Sequence, residues 1–408
     1  MNIRNYILVT AAYWSFTLTD GALRMLVLLH FFNLGYSPVT LAFLFVFYEF
    51  FGIVTNLAGG WIASRMGLKI TLVAGLALQV IALAALALLD AGWPEWLSVL
   101  YVMGAQSLSG IAKDLTKMSS KSAIKVLVPA DADGLLFRWV ALLTGSKNAL
   151  KGVGFFLGGF LLGTLGFSGA LFAMATALAI IWIGSLLSLP TQLGRSKVKA
   201  GWKELFSKSD AINLLCIARF FLFGARDIWF VVGVPVFLRG VLGWSFTEVG
   251  TFMALWIIGY GIVQGFSPAL LRGKSPAGGT TALVAFMLAA VSALIPLALL
   301  INLPPDVAII GGLTLFGLVF AINSAVHSYL ILDYTEGDKV ALNVGFYYMS
   351  NAGGRLVGCL LSGLLYQVGG LYTCLGGTVV FALLSAMVAL RLPRGRSESK
   401  VTADGITP

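Results

Sequence analysis

Arg24, Lys147, Lys151, Arg226 and Arg355 each fall inside a long apolar run, and the chemistry open to a cation there is the binding of an anion. A Lys or Arg at the centre of a membrane span costs about 2.5–3.5 kcal/mol on insertion scales, so such residues face a bundle interior or a water-filled cavity rather than lipid. Guanidinium forks match phosphate or arsenate oxygens bidentately, and ammonium groups add compact point charge. Lys147 and Lys151 are four residues apart and share one helix face. Their mutual repulsion favours a role facing an anion. The competing reading is structural, with Arg24 paired to Asp20, and Arg226 to Asp227 or Asp20, as ion pairs that tie helices together. Asp20, Glu49 and Asp227 also lie in apolar runs, where acids serve as proton carriers or ion-pair switches. Glu49, in Phe47-Tyr48-Glu49-Phe50, is open to either proton coupling or service as a structural partner for a cation. His30 and His327 are the two histidines. Either has the chemistry to titrate near neutrality, and each is expected to be buried and hydrogen-bonded.

The elements that carry these residues follow from composition. The chain has 408 residues, of which 59% are hydrophobic and 11% charged, and its mean hydropathy is +0.93. Soluble globular chains lie far from these values. Apolar segments repeatedly reach the roughly 20 residues that cross a bilayer as helix. Alternating ten-residue strands are absent, which argues against a barrel. The reading is an all-α integral membrane protein with twelve spans, at about 6–32, 38–63, 70–89, 96–116, 137–162, 168–190, 211–238, 246–271, 279–302, 307–332, 341–366 and 371–391. The net charge of +10 does not point to nucleic acid, because the cations cluster between spans. Arg4, Arg65, Lys69, Lys117, Lys121, Lys125, Arg195, Lys197, Lys199, Lys203, Lys208, Arg272, Lys274 and Lys339 all fall on one side, and Arg239 alone falls in a loop on the other. Loops rich in Lys and Arg are cytoplasmic, which places both termini in the cytoplasm. Cys216, Cys359 and Cys374 lie singly in spans and imply neither disulfides nor a thiolate metal site. No cofactor is expected.

Residues 191–210 form the longest polar stretch and divide the spans six and six. The expected organisation is a six-helix bundle over 1–190, a basic cytoplasmic linker over 191–210, a second six-helix bundle over 211–392 and a disordered cytoplasmic tail over 393–408. Leu34-Gly35-Tyr36-Ser37 matches Leu242-Gly243-Trp244-Ser245, and Gly52-Ile53-Val54 matches Gly261-Ile262-Val263, at spacings of 208 and 209. These are the marks of parallel six-span repeats. Gly21-Ala22-Leu23-Arg24 and Gly224-Ala225-Arg226-Asp227 then occupy matching places in the two halves. Asn148-Ala149-Leu150-Lys151-Gly152-Val153-Gly154 aligns with Asn351-Ala352-Gly353-Gly354-Arg355-Leu356-Val357-Gly358 after one inserted residue. Span 4 runs into Lys113, Lys117, Lys121 and Lys125. In a continued helix these form a cationic stripe at the cytoplasmic mouth, either drawing anions inward or contacting lipid headgroups.

Gly60-Trp61-Ile62-Ala63-Ser64-Arg65-Met66-Gly67-Leu68-Lys69, between spans 2 and 3, resembles the loop signature of the major facilitator superfamily. The resemblance gives Gly60 and Gly67 the tight turn and close packing, and Arg65 and Lys69 a latch between neighbouring helices. Ser64 stands where that family usually has Asp. It also implies that spans 1, 5, 7 and 11 line the substrate cavity, so that Arg24, Lys147, Asn148, Lys151, Arg226, Asn351 and Arg355 would bind substrate.

More specific strings are Phe16–Phe31, Ser109–Leu115, Arg138–Gly152 and Phe223–Asp227. These resemble the organoarsenical efflux permeases of the ArsJ type, and the likeness extends over about residues 1–392. It implies export of 1-arseno-3-phosphoglycerate, the mixed anhydride formed when glyceraldehyde-3-phosphate dehydrogenase accepts arsenate, and hence arsenate resistance, functional coupling to that dehydrogenase, proton exchange and a bacterial inner-membrane location. The solute has an anionic group at each end. Neither composition nor spacing identifies arsenic. An organophosphate, phosphate or dicarboxylate antiporter shares the same cationic interior. A membrane receptor or enzyme is disfavoured, since the chain has no HExxH cluster and no Walker loop. The expected partners are the bilayer and a small anionic solute, with no nucleic acid, and a monomer is the default for the architecture.

Overall fold

The computed structural model describes residues 3–66, 68–90, 92–127, 133–190, 209–270, 278–335 and 340–393. Its helices are α1 (Ile3–Asn33), α2 (Pro38–Phe43), α3 (Val46–Met66), α4 (Leu68–Ala87), α5 (Glu95–Leu127), α6 (Asp133–Ser188), α7 (Asp210–Phe230), α8 (Gly233–Gly240), α9 (Phe246–Leu270), α10 (Gly278–Leu300), α11 (Pro305–Asp333) and α12 (Val340–Ala389). Among the described residues there is no strand. Helices and expected spans do not correspond one to one. α2 with α3 forms the second span and α7 with α8 the seventh, whereas α6 and α12 each hold two. Among the described residues eight stretches are long and apolar enough to cross a membrane, and two of them, Ser146–Ser188 and Asn343–Ala389, contain such a double crossing. α1 and α5 are not among the eight, because charged residues dilute their apolar runs. α5 also continues to Leu127, well past the end expected for span 4.

α6 turns at Gly166 and α12 at the pair Gly369-Gly370. Gly166 has φ 70°, ψ −176°, and Gly370 has φ 64°, ψ −152°. A side chain is strongly disfavoured in that left-handed region. The Leu-Gly-aromatic-Ser repeat also folds alike in its two copies. Gly35 (φ 88°) and Gly243 (φ 71°) each follow a helix, and a serine opens the next one. The Ser37 hydroxyl accepts the Thr40 amide at 3.1 Å. The Ser245 hydroxyl accepts the Glu248 amide at 3.2 Å while the Glu248 carboxylate accepts the Ser245 amide at 2.7 Å, a reciprocal cap.

Two spans are broken in the middle. The seventh breaks at Val231 and Val232 because Pro235 has no amide hydrogen and its ring clashes with the carbonyl four residues back. The freed amides of Val232 and Gly233 both donate to the Ser362 hydroxyl at 3.1 Å, so the break leaves these groups satisfied in a setting without water. The second span breaks at Leu44 and Phe45, just before Tyr48 and Glu49.

The chain divides into two compact units. Unit 1 is Met1–Tyr36, Phe43–Ala200 and Gly243–Ile258, and unit 2 is Ser37–Ala42, Gly201–Leu242 and Gly259–Pro408. Each unit therefore takes one short piece from the other half of the chain. In unit 1 α1 packs against α6, and in unit 2 α7 packs against α12. Both seams are lined with glycine. A Cβ on Gly154 would meet the Leu18 carbonyl oxygen at 2.5 Å, and one on Gly158 would strike that of Ala22. In unit 2 a Cβ on Gly354 would strike the Phe220 carbonyl oxygen, and one on Gly358 would meet that of Gly224 at 2.7 Å. These contacts equate Gly154 with Gly354 and Gly158 with Gly358. Arg24 and Arg226 then fall at equivalent places, while Lys151 corresponds to Asn351 rather than to Arg355, one turn away from the register of the sequence alignment.

Gly60 and Arg65 lie within α3, but their side chains, like Gly67 and the segments 191–208 and 394–408, lie outside the described residues. Lys69 is described. Its ammonium donates to the Leu189 carbonyl at 2.5 Å, placing a cation at the end of α6 where unpaired carbonyls and the helix dipole favour one.

Candidate functional site

Unit 1 gathers its ionisable side chains where α1, α3 and α5 meet. Arg24 Nη1 lies 3.1 Å from Glu49 Oε1, and both side chains are buried. Asp20, one turn before Arg24, accepts a hydrogen bond from the Tyr48 hydroxyl at 2.6 Å. The guanidinium also lies over Phe45 and Tyr48, with 5.2 and 5.7 Å to the ring centroids. In place of the Asp20–Arg24 pair of the competing structural reading, each residue takes a partner from the next span, both beside the break at Leu44 and Phe45. A Cβ on Gly110 would strike the Tyr48 carbonyl oxygen, and this close approach of α5 to α3 carries Lys113 and Asp114 to the same place. Lys113 Nζ sits 3.9 Å from the Tyr48 ring centroid. Asp114, fully buried, accepts from Thr55 at 3.2 Å and Asn56 at 3.1 Å and pairs with Lys117 at 2.5 Å. Lys113 and Lys117 are thus half-buried against α3, on a helix that continues to Leu127. The side chains of Lys121 and Lys125 lie outside the described residues.

On α6, Lys147, Asn148 and Lys151 are all partly buried. Lys151 Nζ stands 5.6 Å from the Phe155 ring centroid. Trp14 on α1 donates to Ser146 at 2.9 Å, which fixes the stretch of α6 carrying the two lysines against α1. Among the described residues, the interior cations Arg24, Lys113, Lys117, Lys147 and Lys151 outnumber the acids Asp20, Glu49 and Asp114.

In unit 2 the central carboxylate is Asp227, with its side chain 1% exposed. Oδ1 receives Arg226 Nη2 at 2.5 Å and Nε at 2.6 Å. Oδ2 faces Arg355 Nε at 3.6 Å, an ionic contact too long for a hydrogen bond. Arg226 is further held among Phe223, Phe230 and Phe320, at 4.9–5.6 Å from their centroids. The α7–α12 glycine seam brings Arg355 within reach, because Gly358 packs on Gly224 and on the Asp227 Cβ itself. Asn351 lies one turn before Arg355 on α12 and is partly buried. One carboxylate thus serves two guanidiniums. Asp227→Asn is expected to destabilise the folded chain by roughly 3–5 kcal/mol, because it leaves two largely buried cations without their counter-charge. Thermal unfolding of the purified protein in detergent measures the effect.

Sequence reading missed Arg219, which is 4% exposed. Its Nη1 donates to the Ser324 carbonyl at 3.2 Å and hydroxyl at 3.1 Å. The guanidinium packs on Phe223 and Tyr347, at 4.0 and 4.8 Å from their centroids. The signal was its position seven residues before Arg226, two helical turns along one face. His327 corrects another expectation, being fully buried but with neither ring nitrogen hydrogen-bonded. His30 stacks on Phe167 at 4.0 Å between centroids.

Among the described residues the two units thus share buried and half-buried cations, broken helices beside them and glycine seams between packed spans. Among the described residues no group of three or more His, Cys, Asp and Glu side chains is placed to hold a metal ion. The crystal structure of a D-xylose-proton symporter superposes with a TM-score of 0.74, covering 97% of this chain and 99% of that one at 13% sequence identity, a likeness of fold. No curated protein sequence matches the chain. The family model of the Major Facilitator Superfamily matches residues 6–326, most of the chain. This all-helical, multi-pass membrane protein therefore belongs to the major facilitator superfamily, and it is a transporter rather than an enzyme.

Proposed function

We propose that the chain exports an anionic organoarsenate, 1-arseno-3-phosphoglycerate, by alternating access coupled to proton exchange, and thereby confers arsenate resistance. The observation that carries the reading is the surplus of interior cations in each unit. Among the described residues, in unit 1 Arg24, Lys113, Lys117, Lys147 and Lys151 stand against Asp20, Glu49 and Asp114, and in unit 2 Arg219, Arg226 and Arg355 stand against Asp227. Net positive charge in an apolar interior is costly, and a solute with an anionic group at each end would lower that cost. The choice of an organoarsenate rests on the resemblance of Phe16–Phe31, Ser109–Leu115, Arg138–Gly152 and Phe223–Asp227 to ArsJ-type permeases. The sugar symporter shares fold alone and does not bear on the cargo.

Ion-pair exchange supplies the coupling. An anion that binds Arg24 competes with Glu49 for the guanidinium, and a buried carboxylate that loses its cation gains affinity for a proton. Differential affinity of the solute for the two access states then shifts the population between them. In this reading glyceraldehyde-3-phosphate dehydrogenase supplies the cargo, the protein acts as a monomer in a bacterial inner membrane, and the basic loops hold both termini in the cytoplasm.

Uptake into inverted vesicles tests the proposal, with arsenate, glyceraldehyde-3-phosphate, NAD and the dehydrogenase supplied together and then omitted in turn. Arsenic is expected to accumulate only when all four are present. Accumulation of arsenate alone, or of a phosphate ester without arsenate, would assign the cationic interior to an ordinary phosphate or organophosphate exchanger.

A further inference from the structure

We propose that Arg219, Asn323 and His327 form a second oxyanion station on the wall between α7 and α11, two helical turns from Arg226 and selective for a group that both accepts and donates hydrogen bonds. The proposal deepens the anion-transport reading and rests on it.

α11 turns one face to α7. Phe316 meets Trp229 at 5.3 Å between ring centroids, Phe320 meets Phe223 at 5.2 Å, and Ser324 accepts from Arg219. Asn323 and His327 stand three residues beyond Phe320 and Ser324, on that same face. His327 is within electrostatic reach of Arg219. Both are fully buried, yet neither amide atom of Asn323 and neither nitrogen of His327 has a hydrogen-bond partner, and Arg219 Nε has none either. Leaving a buried polar group unmade costs about 1–3 kcal/mol, and such groups in a native chain call for an explanation. Four of these unused atoms belong to Asn323 and His327 and the fifth is the guanidinium's own Nε, while the guanidinium's remaining contacts are to Ser324, Phe223 and Tyr347. The rest of the surround is ordered, as Tyr260 and Gln264 approach the Ser324 hydroxyl at 3.3 and 3.4 Å.

The inventory of unused atoms selects the ligand class. Arg219 offers a charged donor, Asn323 a donor and an acceptor, and a neutral His327 one of each. A carboxylate has only acceptors and would leave the acceptors of the station idle. A hydrogen phosphate or hydrogen arsenate group has acceptor oxygens together with an O–H donor, and so can engage both kinds. Seven residues of helix separate Arg219 from Arg226 by about 10 Å along α7. The two guanidiniums therefore offer successive holds for one oxyanion, or simultaneous ones for a solute with an anionic group at each end.

The test is thermal unfolding and equilibrium titration of the purified full-length protein in detergent with three probes, inorganic phosphate, inorganic arsenate and acetate. Phosphate and arsenate are expected to stabilise the wild type and acetate to do so far less. Arg219→Gln and Asn323→Leu should each weaken phosphate and arsenate binding at least tenfold. Asn323→Leu separates a site from a structural leftover, because removing an unsatisfied buried amide should leave the ligand-free chain as stable as the wild type or more so while the oxyanion response is lost. Arg219→Lys, which keeps the charge but not the fork, should also bind more weakly than the wild type. Wild-type affinity in both Asn323→Leu and Arg219→Lys would overturn the station while leaving anion binding elsewhere intact. Absence of any phosphate or arsenate response in the wild type would instead overturn the anion-transport reading, and the station with it.

Discussion

Arg24→Ala is expected to abolish transport and to destabilise the protein by roughly 3–5 kcal/mol, and the double variant Arg24→Ala/Glu49→Gln to recover most of the stability but none of the transport. Glu49 is fully buried 3.1 Å from the Arg24 guanidinium. Removing only the cation leaves a carboxylate in an apolar interior, and breaking a buried pair by one partner is costly for that reason. Neutralising both removes the stranded charge, so the two energies should be strongly non-additive. If Arg24 served only to neutralise Glu49, the double variant would also transport. A guanidinium that holds the solute has no substitute in alanine and glutamine, and function should stay lost. Vesicle uptake and thermal unfolding, measured on the wild type, Arg24→Ala, Glu49→Gln and the double variant, read the two effects separately. Transport near the wild-type rate in the double variant would make the pair purely structural.

The architecture was legible because hydropathy is a property of the chain in one dimension. Twelve apolar runs found helical counterparts, and the two copies of the Leu-Gly-aromatic-Ser repeat, read as a mark of duplicated halves, fall at turns where Gly35 and Gly243 both have left-handed backbones. The cations were legible as outliers in those runs. Their partners were not. Asp20 lies one turn from Arg24 and looked like its natural mate, yet the Tyr48 hydroxyl takes Asp20 and Glu49 takes Arg24. That choice depends on which face α3 turns toward α1, and neither local sequence contains it. Arg219 escaped because its neighbours in the chain are aromatic and its polar support, Ser324, lies 105 residues away. The one-turn shift between the aligned motifs and the glycine contacts has the same origin. Sequence alignment matched Lys151 to Arg355 as cations, whereas packing registers the helices by where backbones can touch.

Those contacts carry the largest structural prediction. Gly354→Val is expected to prevent folding of unit 2, costing about 3 kcal/mol or more, and Gly154→Val to do the same for unit 1. At Gly354 even a methyl group would overlap the Phe220 carbonyl oxygen, and the obstacle is backbone rather than the end of a movable side chain. The helices would have to separate along the whole seam. In a bilayer this loss is severe, since association between spans depends on close van der Waals packing of small residues and not on a hydrophobic drive. Gly184→Val and Gly376→Val supply the comparison, because nothing lies within 4 Å of a Cβ at either position. Both should yield monodisperse protein with a near-wild-type unfolding temperature, whereas the seam variants should aggregate or be degraded. The ion pairs of unit 2 depend on this geometry, for Gly358 packs directly on the Cβ of Asp227 and the same seam holds Arg355 at 3.6 Å from that carboxylate. A Gly354→Val protein of wild-type stability would mean that the seam is looser than its backbone distances require, and the ion pairs it positions would then need another support.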